Sequence, residues 1–330
     1  MSNIFTNIKQ LLKQVNKTRI IFPEFTDERI LRAANRLAEE NLVLPIYIGE
    51  EDDVREAARK YDIQLANYEV INPYTFSDFD RLVDTLMERR KNKQIDRQTA
   101  ETKVREINYF STLLVYLNYA DGLVSGAINT TSSALRPLLE IIKTKKDVKK
   151  VSGSYLMVRD YEQYIFADCA VNIDPSSEDL AEITLQTVRT AQLLKMEPKV
   201  AMLSFSTKGS AQSEETEKVI KAYQLVKSKA PSLLVDGELQ FDAAYIPSLA
   251  EKKAPQSVIK GDANIFVFPN LDAGNIGCKI AERLGGFQAV GPLLQGLNRP
   301  VNLLSRGCSE DDVYKVALMT AIQANENNIL

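Results

Sequence analysis

The stretch "TRIIFPEFTDERILRAANRLAEEN" (residues 18–41) decides the fold class of this chain. It starts as a short apolar strand, and from a Thr26 cap onward its apolar residues recur at helical spacing until Asn41. A strand that leads directly into an amphipathic helix is the repeating unit of a parallel α/β sheet. The sequence therefore predicts a βα unit here.

Strand and helix patterns alternate in the same way along the first half of the chain, which predicts a parallel sheet with helices on both faces. The further strands and helices are predicted at "LPIYIG" (44–49), "EDDVREAARKYDI" (51–63), "YEVINP" (68–73) and "SDFDRLVDTLMERRKNK" (77–93). A long helix from about Arg97 to Ala120 follows. The strand "DGLVSGA" (121–127) then leads through a Thr-rich turn into the helix "ALRPLLEIIKTKK" (134–146).

The second half begins with a different pattern. "VKKVSGSYLMVRD" (148–160) and "QYIFADCAVN" (163–172) are adjacent strands joined by a polar turn, which is typical of a hairpin. Four βα units are predicted after it, and they begin at "KVAMLSFS" (199–206), "LLVDG" (233–237), "NIFVFP" (264–269) and "FQAVGPLL" (287–294). An amphipathic helix from Ser309 to about Asn325 ends the chain. Because a domain usually holds about 100 to 200 residues, a chain of 330 residues predicts two domains with a cleft between them.

Composition excludes several classes of function. The formal charge of −3 gives no general attraction to nucleic acid or to an anionic membrane, and the apolar runs fall short of the roughly 18 residues that span a bilayer. The N-terminus lacks the features of a signal peptide, so a cytoplasmic protein is expected. The 3 cysteines show no CxxC spacing, which argues against disulfide and zinc frameworks. Because histidine is absent, acid–base chemistry must fall to Asp, Glu, Lys, Tyr or Cys.

Three hydroxyl-rich loops each follow a predicted strand and precede a predicted helix: "GAINTTSSALR" (126–136), "SFSTKGSAQ" (204–212) and "LLSRGCS" (303–309). Ligands of open α/β sheets bind at such loops, and the free backbone N–H groups of a helix N-terminus attract phosphate. Together the loops predict a polyanionic ligand. Neither a dinucleotide fingerprint nor a P-loop is present, which disfavours NAD and ATP.

The stretch "VNLLSRGCSEDD" (301–312) contains both a helix start and an unexpected cation. Ser309 is a natural N-cap, and Asp312 falls at the third helical position, so capping explains both. Arg306 is not explained, because a cation near a helix N-terminus is unfavourable unless an anion lies between them. Arg136 raises the same question about one turn into its predicted helix.

Two other charged groups have simpler interpretations. Asp236, Glu238 and Asp242 in "DGELQFDAA" could hold Mg²⁺, although such a cluster is more typical of the acidic first turn of a helix. Arg90 ends a predicted helix, where a cation commonly stabilises the helix dipole.

Eight ordered motifs resemble the phosphate acetyltransferases (phosphotransacetylases) over nearly the full length. They are "GAINTTSSALRP", "GSYLM", "FADCAVNIDP", "KVAMLSFSTKGSA", "DGELQFDAA", "NIFVFPNLDAGNIGCKI", "AVGPLLQGLNRPVN" and "LSRGCSEDD". The resemblance implies an acyltransferase of acetate metabolism, which moves acetyl reversibly between CoA and phosphate (acetyl-CoA + phosphate = CoA + acetyl phosphate). "DGELQFDAA" and "AGNIGCKI" look more like the acetyl than the butyryl branch.

The same resemblance implies the architecture. Two α/β domains with a deep interdomain cleft, in the three-layer arrangement of the isocitrate and isopropylmalate dehydrogenases, are expected, as is a homodimer. Domain I would comprise residues 1–147 plus 301–330, and domain II residues 148–300. The resemblance implies a reaction without a metal and without a covalent acyl-enzyme. It implies no cofactor either, because CoA is itself a substrate.

The resemblance also implies site residues. The catalytic set carried over is Ser305, Arg306 and Asp312, and the substrate-binding set is Arg90, Arg136, Thr130 and Thr131. The family commonly has "VNDLSRG" where this chain has "VNLLSRG", so Leu303 replaces an aspartate.

The expected mechanism is direct attack by the CoA thiolate in a ternary complex. Asp312 would accept or relay the thiol proton, although a carboxylate beside Arg306 at a helix N-terminus is a weak proton acceptor. Ser305 would stabilise the oxyanion, Arg306 and Arg136 would hold the phosphoryl group, and Arg90 would serve acetyl phosphate or CoA.

Three alternatives remain open on the sequence alone. Cys308, with a thiol pKa lowered by the helix N-terminus, could carry acetyl in a ping-pong reaction. The chain could be a Mg²⁺-dependent dehydrogenase on the related fold. It could also be a sensor of phosphate or acetyl phosphate that has lost turnover, with Leu303 as the symptom.

Overall fold

The computed structural model describes residues 3–91, 94–129 and 131–329, and the chain divides into two compact units. The first unit combines residues 4–146 with the segment that starts at Leu297, and the second spans residues 147–296. In the described part of the chain, no helix is long and apolar enough to cross a membrane.

The described helices and strands alternate through most of the chain. The strands are β1 Thr18–Phe22, β2 Val43–Ile48, β3 Glu69–Ile71, β4 Gly122–Ser125, β5 Ser152–Arg159, β6 Glu162–Ala167, β7 Lys199–Leu203, β8 Leu234–Leu239, β9 Ile265–Val267, β10 Gln288–Gln295 and β11 Val301–Leu303. The helices are α1 Asn3–Leu12, α2 Glu28–Glu39, α3 Glu51–Lys60, α4 Phe79–Arg89, α5 Arg97–Val104, α6 Ile107–Tyr116, α7 Thr131–Pro137, α8 Ser177–Leu193, α9 Glu214–Lys229, α10 Phe241–Tyr245, α11 Pro247–Lys253, α12 Leu271–Arg283, α13 Glu310–Ala324 and α14 Glu326–Ile329. A π-helical segment, Leu138–Ile142, follows α7 directly.

The first unit is built on a parallel five-stranded sheet with the order β11-β4-β1-β2-β3. Each pair of neighbours is parallel, and Val301 of β11 lies beside Leu123 of β4. The strands β1 and β4 are almost wholly buried, as expected for a parallel sheet covered on both faces. Helix α13 packs on β1, β4, β11 and α2, so the C-terminal segment completes this unit.

The second unit contains a mixed sheet with the order β10-β5-β6-β9-β7-β8. The predicted hairpin is confirmed, because β5 and β6 pair antiparallel, while β6, β9, β7 and β8 are parallel neighbours. The prediction of a fourth βα unit at "FQAVGPLL" was wrong. Strand β10 pairs antiparallel with β5, and the chain then continues into β11 of the other sheet without an intervening helix.

Two local predictions in the first unit were also wrong. The N-cap of α2 is Asp27, not Thr26, because the Asp27 carboxylate accepts the Arg29 N–H at 2.9 Å. The predicted long helix is two helices, α5 and α6, interrupted where Glu106 takes an extended conformation. Helix α6 ends before Asn118, which has a left-handed φ of 66° that terminates helices.

Candidate functional site

Two of the three predicted loops lie side by side in the first unit, because they follow the neighbouring strands β4 and β11. The Leu304 N–H donates to the Ser125 carbonyl at 2.8 Å. At Gly126, with φ of +112°, an added Cβ would lie 2.9 Å from the Leu304 carbonyl oxygen. Only glycine permits this approach. The third loop, "SFSTKGSAQ", belongs to the second unit.

The buried Glu24 carboxylate organises the first of these loops. It accepts the backbone N–H groups of residues 126–129 at 2.8, 2.9, 3.1 and 3.0 Å, and the Asn129 side-chain amide at 2.8 Å. These four N–H groups, which precede helix α7, are therefore not free to bind phosphate. Sequence reasoning missed Glu24; its only signal was a carboxylate at the end of an apolar strand.

The second loop presents Ser305 and Arg306 to solvent. The Cys308 N–H donates to the Ser305 carbonyl at 2.9 Å, and the Gly307 N–H donates to Ser305 Oγ at 3.3 Å. Among the described residues, the backbone N–H groups of Ser305 and Arg306 and the Arg306 guanidinium have no hydrogen-bond acceptor. The loop therefore offers one hydroxyl, two N–H donors and a cation to an anionic group.

Asp312 forms the predicted capping box with Ser309. Its Oδ2 accepts the Ser309 N–H at 2.9 Å and the Ser309 hydroxyl at 2.8 Å, and the Asp312 N–H donates to Ser309 Oγ at 3.1 Å. The helix start predicted at Ser309 is confirmed. Asp312 consequently has a structural role whether or not it also accepts a proton.

Cys308 differs from its expected state. Burial raises the pKa of its thiol, and the opposing charge of Arg29, whose Nη1 lies 3.7 Å from Sγ, does not overcome this. The expectation of a lowered thiol pKa was wrong, because desolvation outweighs the nearby positive charge. A thiol of this kind is a poor nucleophile near neutral pH.

Arg90 and Arg136, predicted separately, meet on one carboxylate. Glu140 accepts Arg90 Nη1 at 2.8 Å, Arg136 Nε at 3.1 Å and the Tyr109 hydroxyl at 2.7 Å. Burial alone would raise the pKa of Glu140, but these hydrogen bonds and the Arg90 charge hold it below its ordinary value. Burial, together with the bond to Glu140, raises the pKa of Tyr109 to about 12. Glu140 was missed, although it lies four residues after Arg136 on the same helical face.

The two arginines differ in what they can still bind. Arg90 is only 8% exposed, and its Nε has no hydrogen-bond partner in the described part of the chain. Arg90 does lie at a helix end, as the C-cap of α4, but its interpretation as a cation that only stabilises the helix dipole is therefore incomplete. Arg136 is 60% exposed and uses Nε for Glu140. The anion that we expected beside Arg136 is therefore supplied in part by the Glu140 carboxylate.

Three remaining positions can be placed only in part. Thr130 lies outside the described residues, and Thr131 begins helix α7. Leu303 is buried at the end of β11, two residues before the exposed Ser305.

The acidic cluster of the second unit is already paired with donors. Asp236 and Glu238 lie on β8, so their interpretation as a helix first turn was wrong, and only Asp242 lies in α10. Asp236 pairs with Lys208, Asp242 with Lys253 at 2.6 Å, and Glu238 accepts the Gly209 N–H at 2.7 Å. Among the described residues, no group of three or more acidic or cysteine side chains is arranged to hold a metal ion.

Comparison with known proteins places the chain among acyl transferases. The family model described as "Phosphate acetyl/butaryl transferase" matches residues 3–321. A "Phosphate acetyltransferase" from Bacillus subtilis (strain 168) is 54% identical over 98% of this chain and 100% of that protein. A phosphotransacetylase structure from Streptococcus pyogenes superposes with a TM-score of 0.93 at 47% identity, covering 99% of this chain and 100% of that one.

A more distant structure shares the fold alone. A putative 4-hydroxythreonine-4-phosphate dehydrogenase from Salmonella typhimurium superposes with a TM-score of 0.54 at 12% identity, over 96% of this chain and 100% of that one. The predicted α/β fold class is confirmed by these neighbours and by the two sheets. The resemblance of the eight motifs is also confirmed, and the chain belongs to the phosphate acetyl/butaryl transferase family.

Proposed function

We propose that this protein is a phosphate acetyltransferase, which interconverts acetyl-CoA and phosphate with CoA and acetyl phosphate. The observation that carries the assignment is the 54% identity, over essentially the whole of both chains, to a relative of that name. The exposed Ser305 and Arg306 beside the carboxyl ends of parallel strands supply the kind of anion site that the reaction requires.

The acyl transfer itself is direct in our proposal. The CoA sulfur attacks the carbonyl carbon of acetyl phosphate, a C–S bond forms, and the C–O bond to phosphate breaks with its electron pair leaving on phosphate. Ser305 Oγ–H and the free backbone N–H groups of Ser305 and Arg306 stabilise the oxyanion that develops on the carbonyl oxygen. Asp312 takes or relays the thiol proton.

The arginines neutralise phosphate in this scheme. Arg306 carries an unpaired guanidinium among the described residues, and Arg136 is exposed with only Nε engaged by Glu140, so both can offer forked donors to phosphoryl oxygens. Arg90 is buried on Glu140 and serves the phosphate of acetyl phosphate or of CoA through its remaining donors. Thr130 and Thr131 complete the substrate-binding set.

The proposal needs no metal and no cofactor beyond the substrate CoA. Formation of the thioester from acetyl phosphate and CoA, followed by its ultraviolet absorbance, tests it. We expect turnover that is insensitive to a chelator, with acetyl phosphate preferred and butyryl phosphate poor. Binding without turnover would favour the sensor, loss of activity with chelator would favour a metal enzyme, and equal rates with both acyl phosphates would contradict the acetyl assignment.

We also propose a cytoplasmic homodimer. The free thiols of Cys169, Cys278 and Cys308 fit a reducing compartment. Helix α12 supports self-association, because Ile276 and Ile280 on one helical face, and Leu284 directly after it, are 57%, 53% and 85% exposed. Exposed apolar side chains that cluster at helical spacing are typical of a protein interface.

A further inference from the structure

Arg29, at the start of α2, connects three segments of the first unit through one guanidinium group. Nη1 donates to the carbonyl oxygens of Arg306 at 2.9 Å and Cys308 at 2.7 Å. Nη2 donates to the Ala127 carbonyl at 3.3 Å and to Asp27 at 2.7 Å, and Nε donates to Asp27 at 3.0 Å. A single side chain thus bonds both loops beside β4 and β11.

Residues 305–308, here called the Ser305 loop, depend on these bonds for their connection to the rest of the unit. The other hydrogen bonds of the Ser305 loop run within it, from the Gly307 and Cys308 N–H groups to Ser305. Among the described residues, Arg29 makes all the hydrogen bonds that connect residues 305–308 to the rest of the unit. Without Arg29, the loop would be fixed only at its ends, by β11 and by α13.

The orientation of the Arg306–Gly307 and Cys308–Ser309 peptide groups connects the Arg29 bonds to the side chains of Ser305 and Asp312. In a planar trans peptide the C=O and the following N–H point in opposite directions. Because the Arg306 carbonyl faces Arg29, the Gly307 N–H points away from Arg29 and reaches Ser305 Oγ. The Cys308 carbonyl also faces Arg29, and the Ser309 N–H correspondingly reaches the Asp312 carboxylate.

We propose that Arg29 is a positioning residue for acyl transfer. It holds the two peptide planes whose N–H groups orient the Ser305 hydroxyl and the Asp312 carboxylate. This inference rests on the proposed function, in which those two side chains act on the substrates. Arg29 bonds acceptors in three different segments through a rigid planar fork, which lysine cannot reproduce.

The test compares Arg29→Met and Arg29→Lys with Arg32→Met. Arg32 is a matched control, because it also bonds a carboxylate, that of Glu28 within α2, and a backbone carbonyl outside α2, that of Tyr61, but does not contact either loop. Two readouts are used on each folded variant: kcat and KM for acetyl phosphate and CoA, and the alkylation rate of Cys308 without substrate, located by peptide mass spectrometry. Circular dichroism establishes that each variant is folded.

We expect Arg29→Met to lower kcat by about tenfold to 100-fold with smaller changes in KM, because misplaced catalytic groups affect the transition state more than binding. Cys308 alkylation should rise about tenfold or more, as expected for a loop that opens locally. Arg29→Lys should fall between wild type and Arg29→Met in both readouts, and it replaces Arg29→Met if that variant does not fold. Arg32→Met should match wild type.

Two results would overturn the inference. Unchanged Cys308 alkylation in the Arg29 variants would mean that Arg29 does not hold the loop. Faster alkylation with unchanged kcat would mean that the held conformation is not the one used for catalysis. Failure of the proposed function is distinguishable, because the wild-type protein would then form no thioester from acetyl phosphate and CoA, while Cys308 alkylation would still show whether Arg29 holds the loop. If the wild type is active but Ser305→Ala and Arg306→Ala keep its kcat, the proposed roles of Ser305 and Arg306 are refuted.

Discussion

Arg136 is the residue whose substitution separates substrate binding from structure most directly. Arg136→Ala should raise KM for acetyl phosphate or CoA and lower kcat, since phosphate charge is neutralised both on binding and on departure. Because the substitution removes one charged donor, we expect kcat to fall roughly 100-fold. Steady-state kinetics measure both constants. Arg97→Ala is a suitable control, because Arg97 is another half-exposed arginine paired with carboxylates.

Unchanged kinetics in Arg136→Ala would limit Arg136 to its ion pair with Glu140. The exposed guanidinium would then have no part in the reaction.

Cys308 should be dispensable for the chemistry. Because burial raises the pKa of its thiol, the thiolate is a minor species near neutral pH, and a ping-pong reaction through Cys308 is disfavoured. Cys308→Ser is therefore expected to keep most of the wild-type kcat. Rapid quenching of the wild-type enzyme with acetyl phosphate, followed by mass spectrometry, should find no acetylated Cys308. An inactive Cys308→Ser variant together with a trapped acetyl-enzyme would refute direct transfer.

At the scale of single residues, the sequence could indicate cations but not their partners. Arg136 and Arg306 were predicted because a cation near a helix N-terminus is unfavourable without an anion. Glu24, Glu140 and Arg29 were missed, because their contacts lie with residues up to hundreds of positions away, or, for Glu140, look like an ordinary i,i+4 pair. Local periodicity contains no information about such contacts.

Helix α13 provides a test that separates capping from catalysis. Ser309→Ala removes the N-cap hydroxyl and should lower the free energy of unfolding by about 1 kcal/mol, with a smaller effect on kcat. Asp312→Asn keeps an acceptor for the Ser309 N–H but removes the charge, so it should lower kcat by roughly 100-fold. Urea denaturation and steady-state kinetics on both variants give the two quantities. If both variants lose stability and activity in parallel, Asp312 acts only as a cap.

At the scale of elements, helices and strands with an uninterrupted apolar periodicity could be predicted from the sequence. The points at which the chain breaks such a pattern could not. The parallel strands of the first sheet and the hairpin β5–β6 follow from apolar runs and turn residues. The break between α5 and α6 does not, because both sides of Glu106 continue a helical pattern and only packing decides where the chain turns. The sequence of β10 likewise resembles the strand of a βα unit, and only its antiparallel pairing with β5 shows that it is not one.

At the scale of the whole molecule, the composition excluded more classes of function than the predicted topology did. The absence of histidine excludes Ser-His and Cys-His nucleophile pairs, and the net charge of −3 gives no general attraction to nucleic acid. The return of the C-terminal segment into the first unit could not be read from periodicity, because β11 is only three residues long and gains its partner β4 from far along the chain. The resemblance of ordered motifs supplied that expectation instead.

The proposed homodimer leads to the last prediction, which concerns the exposed apolar face formed by Ile276, Ile280 and Leu284. A glutamate at its centre would have to be desolvated at an interface without a partner charge, so Ile280→Glu should dissociate the dimer. Val258→Glu is a matched control, since Val258 is a 54% exposed apolar residue of the same unit outside α12.

Light scattering after size-exclusion chromatography should give twice 37.0 kDa for the wild type and for Val258→Glu, and 37.0 kDa for Ile280→Glu, with unchanged circular dichroism. A dimeric Ile280→Glu would place the interface elsewhere on the molecule. A monomeric wild type at micromolar concentration would refute the homodimer, and the exposed face of α12 would then need another explanation, because such faces are costly to leave in water.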